Sequence, residues 1–192
     1  MPPASGFRRD PPDVVALLRV LGAHGVRYVV TGSVAALLHG VTLEPGDLDV
    51  TPALDVDNLE RLARALEELE AAQYPDEPFG RWEIGDDGER HWATCEPTEA
   101  DRQARAAWRP DPNDPDSFDH LLRTRHGTLD VVPHIAGIYA VLRASASPVD
   151  GDVWVESIAD QLATLTVPRR KKDTARVQAL RALQRAVIRT AP

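Results

Sequence analysis

The stretch YVVTGSVAALLHGVTLEPGDLDVTP, residues 28–52, carries most of the information on the fold of this chain. Its β-branched start predicts a buried strand that ends at Thr31. Gly32-Ser33 then opens a short apolar segment, 32–40, which predicts a buried helix. After a loop over 41–46, the sequence DLDVT predicts a second strand over 47–51. Two acidic residues therefore stand in a run that otherwise favours burial.

These two acidic residues, Asp47 and Asp49, are two positions apart, so a strand places both carboxylates on one face. Leu48 and Val50 then point into the core on the opposite face. Adjacent carboxylates repel each other unless a cation lies between them, and Mg²⁺ or Mn²⁺ prefers such oxygen ligands. Paired acids hold metal in this way in phosphoryl and nucleotidyl transfer. An ordinary acidic strand end is the alternative interpretation.

The Gly-Ser pair adds a second feature of the same chemistry. A helix start offers free backbone N–H groups, and glycine lets a phosphate approach them closely. The hydroxyl of Ser33 supplies one more donor. Taken alone, the pair indicates no more than a helix start, but its order and spacing relative to Asp47 and Asp49 favour a joint nucleotide and metal site.

The rest of the chain predicts an α/β or α+β fold, with a small mixed twisted sheet flanked by helices and followed by C-terminal helices. Asp10 reads as an N-cap, with Pro11 and Pro12 at the first positions of a helix that ends near His24. The leucine stripe of 55–73 predicts an amphipathic helix.

Further along, 74–116 shows little pattern beyond a hairpin closed by Asp87-Gly88. Two strands are expected within 117–133, a helix over 135–145, a hairpin or a short strand around Asp150-Gly151, and two final helices. We divide the chain into a disordered tail (1–9), a core (10–156) and a C-terminal helical segment packing on that core (157–192).

The composition narrows the possible function classes. The chain has 192 residues, is 43% hydrophobic and has a net charge of −8, which argues against a generally basic nucleic-acid-coating surface. Residues 167–192 nevertheless carry eight basic residues against Asp173 alone. That basic segment is either a solvated helix face or a patch for a polyanion such as tRNA. A single cysteine, a polar N-terminus and the lack of an apolar run long enough to span a membrane predict a cytoplasmic protein.

The pattern GS-x(13)-DLDV, with a strand before the glycine and an amphipathic helix after the acids, resembles the nucleotidyltransferase superfamily that includes the AbiEii-type and MenT-type toxins. The resemblance implies the nucleotidyltransferase fold and a third carboxylate on a neighbouring strand, which HGTLDVVP supplies as Asp130. It also implies a late helix with basic residues beside an aspartate, found in 157–180 as Arg170, Lys172 and Asp173.

The roles that this resemblance implies are those of a nucleotide site with a metal centre. Gly32, Ser33, Arg170 and Asp173 bind the nucleotide, Asp47, Asp49 and Asp130 bind Mg²⁺ or Mn²⁺, and Lys172 neutralises developing phosphate charge. Asp130 is also a candidate base, and Asp173 a candidate partner for Lys172. The implied reaction transfers a nucleoside monophosphate from a nucleoside triphosphate such as ATP to an acceptor hydroxyl. The implied biological role is that of a toxin acting on tRNA, with a cognate antitoxin as partner.

The chain also departs from the family pattern. The loop before the acid pair reads Leu43-Glu44-Pro45-Gly46 where many relatives carry Arg or Thr, and Thr166 stands where many carry lysine. Two further interpretations therefore remain open. One is a non-catalytic nucleotide- or partner-binding member of the same fold, and the other is an enzyme that modifies a small molecule or a protein.

Overall fold

The computed structural model describes residues 8–84, 88, 90–134, 139–150, 153–165 and 171–190. Its helices are α1 (Val14–Ala23), α2 (Gly32–Leu38), α3 (Val56–Glu68), α4 (Glu99–Ala106), α5 (Tyr139–Ser145), α6 (Ile158–Thr164) and α7 (Lys171–Thr190). Its strands are β1 (Tyr28–Thr31), β2 (Leu48–Pro52), β3 (Ala72–Gln73), β4 (Phe79–Ile84), β5 (Arg90–Cys95), β6 (His120–Thr124), β7 (Gly127–Val131), β8 (Ser147–Asp150) and β9 (Val153–Val155).

The main sheet has seven strands in the order β3-β6-β7-β2-β1-β9-β8. It is mixed, because β2 pairs antiparallel with β1 but parallel with β7, and β1 pairs parallel with β9. The predicted mixed α/β architecture is therefore confirmed. The two central strands carry the opening stretch, and β7 comes from a segment about eighty residues further along.

Two apolar clusters hold the helices to this sheet. The larger cluster joins α1 and α3 to the strands, with Leu17, Leu59, Leu62 and Leu129 fully buried. The smaller cluster packs α6 and α7 against α2 around Ala36 and Leu180, with further apolar contacts from Val41, Ile158 and Leu162. Because α2 begins at Gly32, this second cluster fixes the segment that follows β1.

The first helix begins later than the sequence predicted. Its N-cap is Asp13, whose side chain accepts a hydrogen bond from the backbone N–H of Ala16. Asp10 cannot serve as the cap because its backbone is used elsewhere: its N–H donates to the Tyr74 hydroxyl, and its carbonyl accepts from the N–H and hydroxyl of Thr128. Residues 8–13 therefore form a segment without helix or strand, which we call the N-terminal arm.

The prediction for 55–73 was correct in type but too long. Helix α3 ends at Glu68, and Glu70 adopts a left-handed backbone conformation with φ of 54°. That turn redirects the chain, so that β3 pairs with β6 and forms an edge of the main sheet. The pairing of β3 with the distant strand β6 therefore outweighed the local helix propensity of this segment.

The poorly patterned region 74–116 holds a separate two-stranded sheet and a helix. Strands β4 and β5 pair antiparallel from Phe79–Cys95 to Ile84–Arg90, which confirms the predicted hairpin, while Asp87 of its turn lies outside the described residues. Helix α4 was not predicted, although Thr98 and Asp101 form a capping box at its start.

The turn predicted near His126-Gly127 is present between β6 and β7. Of the hairpin and the short strand expected around Asp150-Gly151, the antiparallel pairing of β8 with β9 favours the hairpin, and Gly151 lies outside the described residues. The boundaries proposed for the tail, the core and the C-terminal segment stay a prediction. Among the described residues, no helix is both long and apolar enough to cross a bilayer.

Candidate metal centre

Three carboxylates meet at the ends of neighbouring strands. Asp49 in β2 is paired in register with Asp130 in the parallel strand β7. Asp47 lies in the bend just before β2, because the strand begins at Leu48 and not at Asp47 as predicted. One carboxylate oxygen from each of these aspartates lies within 4.8 Å of the others. The structure thus places the predicted third carboxylate beside the predicted pair.

Burial and mutual repulsion make this cluster costly to ionise. Burial, together with the charges of Asp47 and Asp130, raises the pKa of Asp49 to about 7. Burial also raises the pKa of Asp130 to about 7, again with Asp47 acting in the same direction. A cation at the cluster would relieve both effects, because it favours the ionised forms.

One cation of the protein already lies at this cluster. The guanidinium of Arg9, in the N-terminal arm, forms an ion pair with the carboxylate of Asp47. Its charge also opposes the rise in the pKa of Asp130. No local sequence pattern predicted this contact, since the two residues are 38 positions apart.

Gly32 is required where Asp49 approaches the backbone. Its φ is 66°, a left-handed conformation that glycine adopts without strain. A Cβ atom at this position would lie 2.1 Å from a carboxylate oxygen of Asp49. The glycine therefore makes room for an acid, which differs from the predicted role of making room for a phosphate.

Ser33 follows Gly32 and also faces the acids. Its backbone N–H interacts with the Asp49 carboxyl and lowers the pKa of that group. Its hydroxyl oxygen is buried and has no hydrogen-bond partner within the described part of the chain. A buried hydroxyl with unused hydrogen-bonding capacity is consistent with a ligand beside the triad.

A further buried acid, Glu156, interacts with the backbone N–H of Gly32 and was not predicted from the sequence. It directly follows β9 and is 2% exposed. Burial raises its pKa to about 7, while the backbone N–H of Gly32 and the charge of Arg176 act against this rise. A local signal was available, because Val153 and Val155 alternate as in a strand and Glu156 directly follows them.

Glu156 also holds neighbouring elements together through its backbone. Its N–H donates to the carbonyl of Val30 in β1, and its carbonyl contacts the imidazole of His39 at 2.7 Å, after the end of α2. One side-chain oxygen of Glu156 and one of Gln161 are buried without hydrogen-bond partners among the described residues. The buried region around Glu156 and Gln161 therefore contains polar groups.

The residues expected on the late helix are only partly described. Asp173 is buried in the first turn of α7, with 4% exposure. Lys172 belongs to the same helix, but its side chain lies outside the described part, as do Arg170 and Thr166 entirely. Glu44, in the loop before the triad, is exposed.

The triad suits a hard divalent cation. Its donors are carboxylate oxygens that are close enough to share one ion. Burial and neighbouring acids raise the pKa values of Asp49 and Asp130, and a bound cation would offset this rise. Mg²⁺ and Mn²⁺ both take ligands of this type. Asp47, Asp49 and Asp130 are the residues that would hold the metal.

Comparison with known proteins adds no relative to this picture. No family model, no curated protein and no solved structure matches the chain. The resemblance to nucleotidyltransferases therefore remains a prediction from the sequence motifs.

Proposed function

We propose that this protein is a Mg²⁺-dependent nucleotidyltransferase with the nucleotidyltransferase fold. The observation that carries the proposal is the convergence of Asp47, Asp49 and Asp130 within 4.8 Å, next to the Gly32-Ser33 turn. The mixed sheet supports it, because adjacent parallel strands supply two of these acids in register.

In the proposed reaction an acceptor hydroxyl attacks the α-phosphorus of a nucleoside triphosphate. The new phosphorus–oxygen bond forms as the bond to the bridging oxygen breaks, and pyrophosphate leaves. The bound metal supplies charge neutralisation for the triphosphate. Asp130, the third carboxylate of the triad, is the candidate base that would accept the hydroxyl proton.

The proposed acceptor is tRNA, in keeping with a toxin that has a cognate antitoxin. The support is the basic composition of 167–192, of which Arg181 and Arg185 are exposed on α7. These positions are four residues apart and therefore share a helix face. A phosphate backbone would bind such a face with a strong dependence on salt.

A second candidate is a metal-binding member of this fold that does not transfer nucleotides. The N–H of Ser33 is directed at Asp49, and Arg9 is paired with Asp47, so groups that would serve a triphosphate face the acids instead. The exposed Glu44 adds negative charge near the site. This candidate predicts metal binding without nucleotide incorporation.

The deciding experiment incubates the full chain with Mg²⁺, total tRNA and each labelled nucleoside triphosphate in turn. We expect incorporation from at least one nucleotide, and a loss of at least about 100-fold in Asp130→Asn, because the metal loses a ligand and the reaction its candidate base. Asp119→Asn is the matched control: Asp119 is exposed, influences the pKa of Asp130 only through its charge, and is outside the triad.

The possible results separate the two candidates. Metal binding without incorporation of any labelled nucleotide into tRNA would overturn tRNA as the acceptor and favour the candidate that does not transfer nucleotides. Incorporation that survives Asp130→Asn would show that the triad is not the reactive site.

A further inference from the structure

Arg9 is paired with one of the three carboxylates that would hold a divalent cation. Its guanidinium contacts a carboxylate oxygen of Asp47, one of the three aspartates whose oxygens lie within 4.8 Å of one another. The Asp47 side chain is 9% exposed, and that of Arg9 is 34% exposed. The arginine therefore reaches from the surface into the rim of the acid cluster.

The arm that carries Arg9 is held in place by several contacts. The carbonyl of Asp10 accepts from both the N–H and the hydroxyl of Thr128, and the N–H of Asp13 donates to the carbonyl of His126. The hydroxyl of Tyr74 lies 2.6 Å from the hydroxyl of Thr128 and also accepts from the N–H of Asp10. These bonds anchor the arm at the start of β7, the strand that carries Asp130.

The packing at Gly127 shows how closely the arm follows this turn. A Cβ atom at Gly127 would lie 2.2 Å from the backbone carbonyl oxygen of Pro11. The glycine has a φ of 93°, so both its conformation and this contact exclude other residues. The position of Arg9 therefore follows from an arm that fits against the main sheet.

Charge explains why the guanidinium stays at this place. Arg9 favours the ionised form of Asp130 and pairs with Asp47, whereas Arg176 favours the ionised form of Asp49. Two arginines from opposite ends of the chain thus offset part of the repulsion within the triad. A divalent cation would offer the same compensation with twice the charge, but it would compete for the Asp47 carboxylate and repel the guanidinium.

We propose that Arg9 is the resident counter-ion of the triad and that the N-terminal arm competes with the divalent cation for Asp47. The arm is then an autoinhibitory strap over the metal centre, and metal binding requires the guanidinium to leave Asp47. This inference rests on the metal centre of the proposed function, but it does not depend on nucleotide transfer.

The test is a titration of the full, metal-free chain with Mn²⁺, followed by electron paramagnetic resonance of the free ion. We expect Arg9→Ala to bind Mn²⁺ about tenfold more tightly than the wild type, since removing one nearby positive charge has effects of this order. Arg8→Ala is the matched control, because Arg8 is the adjacent arginine of the same arm and is exposed. We expect its affinity to equal that of the wild type.

Asp49→Asn establishes that the titrated site is the triad, because it should weaken binding in both the wild-type and the Arg9→Ala background. Equal Mn²⁺ affinity in wild type and Arg9→Ala would overturn the competition and leave the metal centre standing. Weaker binding in Arg9→Ala would also overturn it. The absence of saturable binding in every variant would overturn both the metal centre and the competition.

Thermal unfolding in EDTA distinguishes a loss of the Arg9 charge at the triad from a general folding defect of the variant. We expect Arg9→Ala to melt at a lower temperature than Arg8→Ala, because it leaves the triad with one cation fewer, and we expect Mn²⁺ to restore its melting temperature. Melting temperatures that match in EDTA would show that Arg9 does not neutralise the triad.

Discussion

At the residue scale, Gly32 and Asp49 depend on each other. The carboxylate of Asp49 occupies the space that a side chain at position 32 would need, and the φ of 66° at Gly32 turns its backbone toward that space. The pairing of Thr31 with Asp49 across β1 and β2 brings the two groups together. The geometry of the metal centre therefore includes a residue that has no side chain.

Gly32→Ala should consequently damage both stability and metal binding. We expect a loss of roughly 1–3 kcal/mol in the free energy of unfolding, because a left-handed backbone and a steric clash must both be accommodated. Mn²⁺ affinity should fall as Asp49 is displaced. Urea denaturation and a Mn²⁺ titration measure the two effects.

Gly46→Ala is the control for this variant. Gly46 lies in the loop just before the triad, and a Cβ atom there would meet nothing within 4 Å. It should unfold and bind Mn²⁺ like the wild type. If Gly32→Ala also behaved like the wild type, the close approach of Asp49 to the backbone would be refuted.

The acids of the triad could be anticipated from the sequence, whereas the charges around them could not. Alternation along a strand favoured a shared face for Asp47 and Asp49, and the family resemblance implied Asp130 as the third carboxylate. Arg9 lies in a proline-rich arm without periodicity. The arm is held by hydrogen bonds to Thr128 in β7 and to His126 just before it, and these distant contacts bring Arg9 to Asp47. Glu156 had a local signal, but its proximity to Gly32 depends on the parallel pairing of β1 with β9.

At the element scale, a buried amide joins the ends of the two central strands. The side chain of Asn58, in α3, is fully buried. Its amide nitrogen donates to the carbonyls of Arg27, before β1, and Ala53, after β2. Its amide oxygen accepts from the N–H of Arg27 at 2.7 Å. One side chain thus satisfies three backbone groups and sets α3 against the end of the sheet opposite the metal centre.

Asn58→Ala should therefore destabilise the protein far more than a typical helix substitution. We expect a loss of roughly 2–4 kcal/mol in the free energy of unfolding, because the N–H of Arg27 and the carbonyl of Ala53 lose their side-chain partner, while the carbonyl of Arg27 keeps the N–H of Ala53 as a donor. Chemical denaturation monitored by tryptophan fluorescence measures it. Asp57→Ala, at the exposed neighbouring position of the same helix turn, should change stability by less than about 1 kcal/mol. Equal losses in the two variants would contradict this role for Asn58.

The sequence predicted whether a segment is a helix or a strand where its hydrophobic periodicity was strong. It did not predict the residues at which these elements begin and end. The leucine stripe identified α3, but pairing of β3 with β6 decided where the helix had to stop. Pro11 and Pro12 suited a helix start. The carbonyl of Asp10, however, accepts a hydrogen bond from the N–H of Thr128, and this contact places the segment in the arm. In both cases a contact with a distant strand outweighed a local preference.

At the scale of the whole molecule, the buried acids should link stability to pH and to metal. In the folded protein the carboxyls of Asp49 and Asp130 have pKa values of about 7, against an ordinary value of 3.8. Between pH 3.8 and about pH 7, Asp49 and Asp130 are ionised in the unfolded chain but keep their protons in the folded protein. Raising the pH therefore favours the unfolded chain, and the free energy of unfolding of the metal-free protein should fall from about pH 4 to about pH 7 and then level off.

A divalent cation should reverse this loss, because it binds the ionised carboxylates of the folded protein. We expect saturating Mg²⁺ to raise the free energy of unfolding clearly at pH 8 and very little at pH 5, as measured by urea denaturation with Mg²⁺ or with EDTA. The double variant Asp49→Asn, Asp130→Asn should vary less with pH and should not respond to Mg²⁺, while Glu156 retains a smaller pH dependence of the same sign. Identical pH profiles for the wild type and the double variant would show that the triad is not the source of the linkage, and a Mg²⁺ effect as large at pH 5 as at pH 8 would place the ion elsewhere.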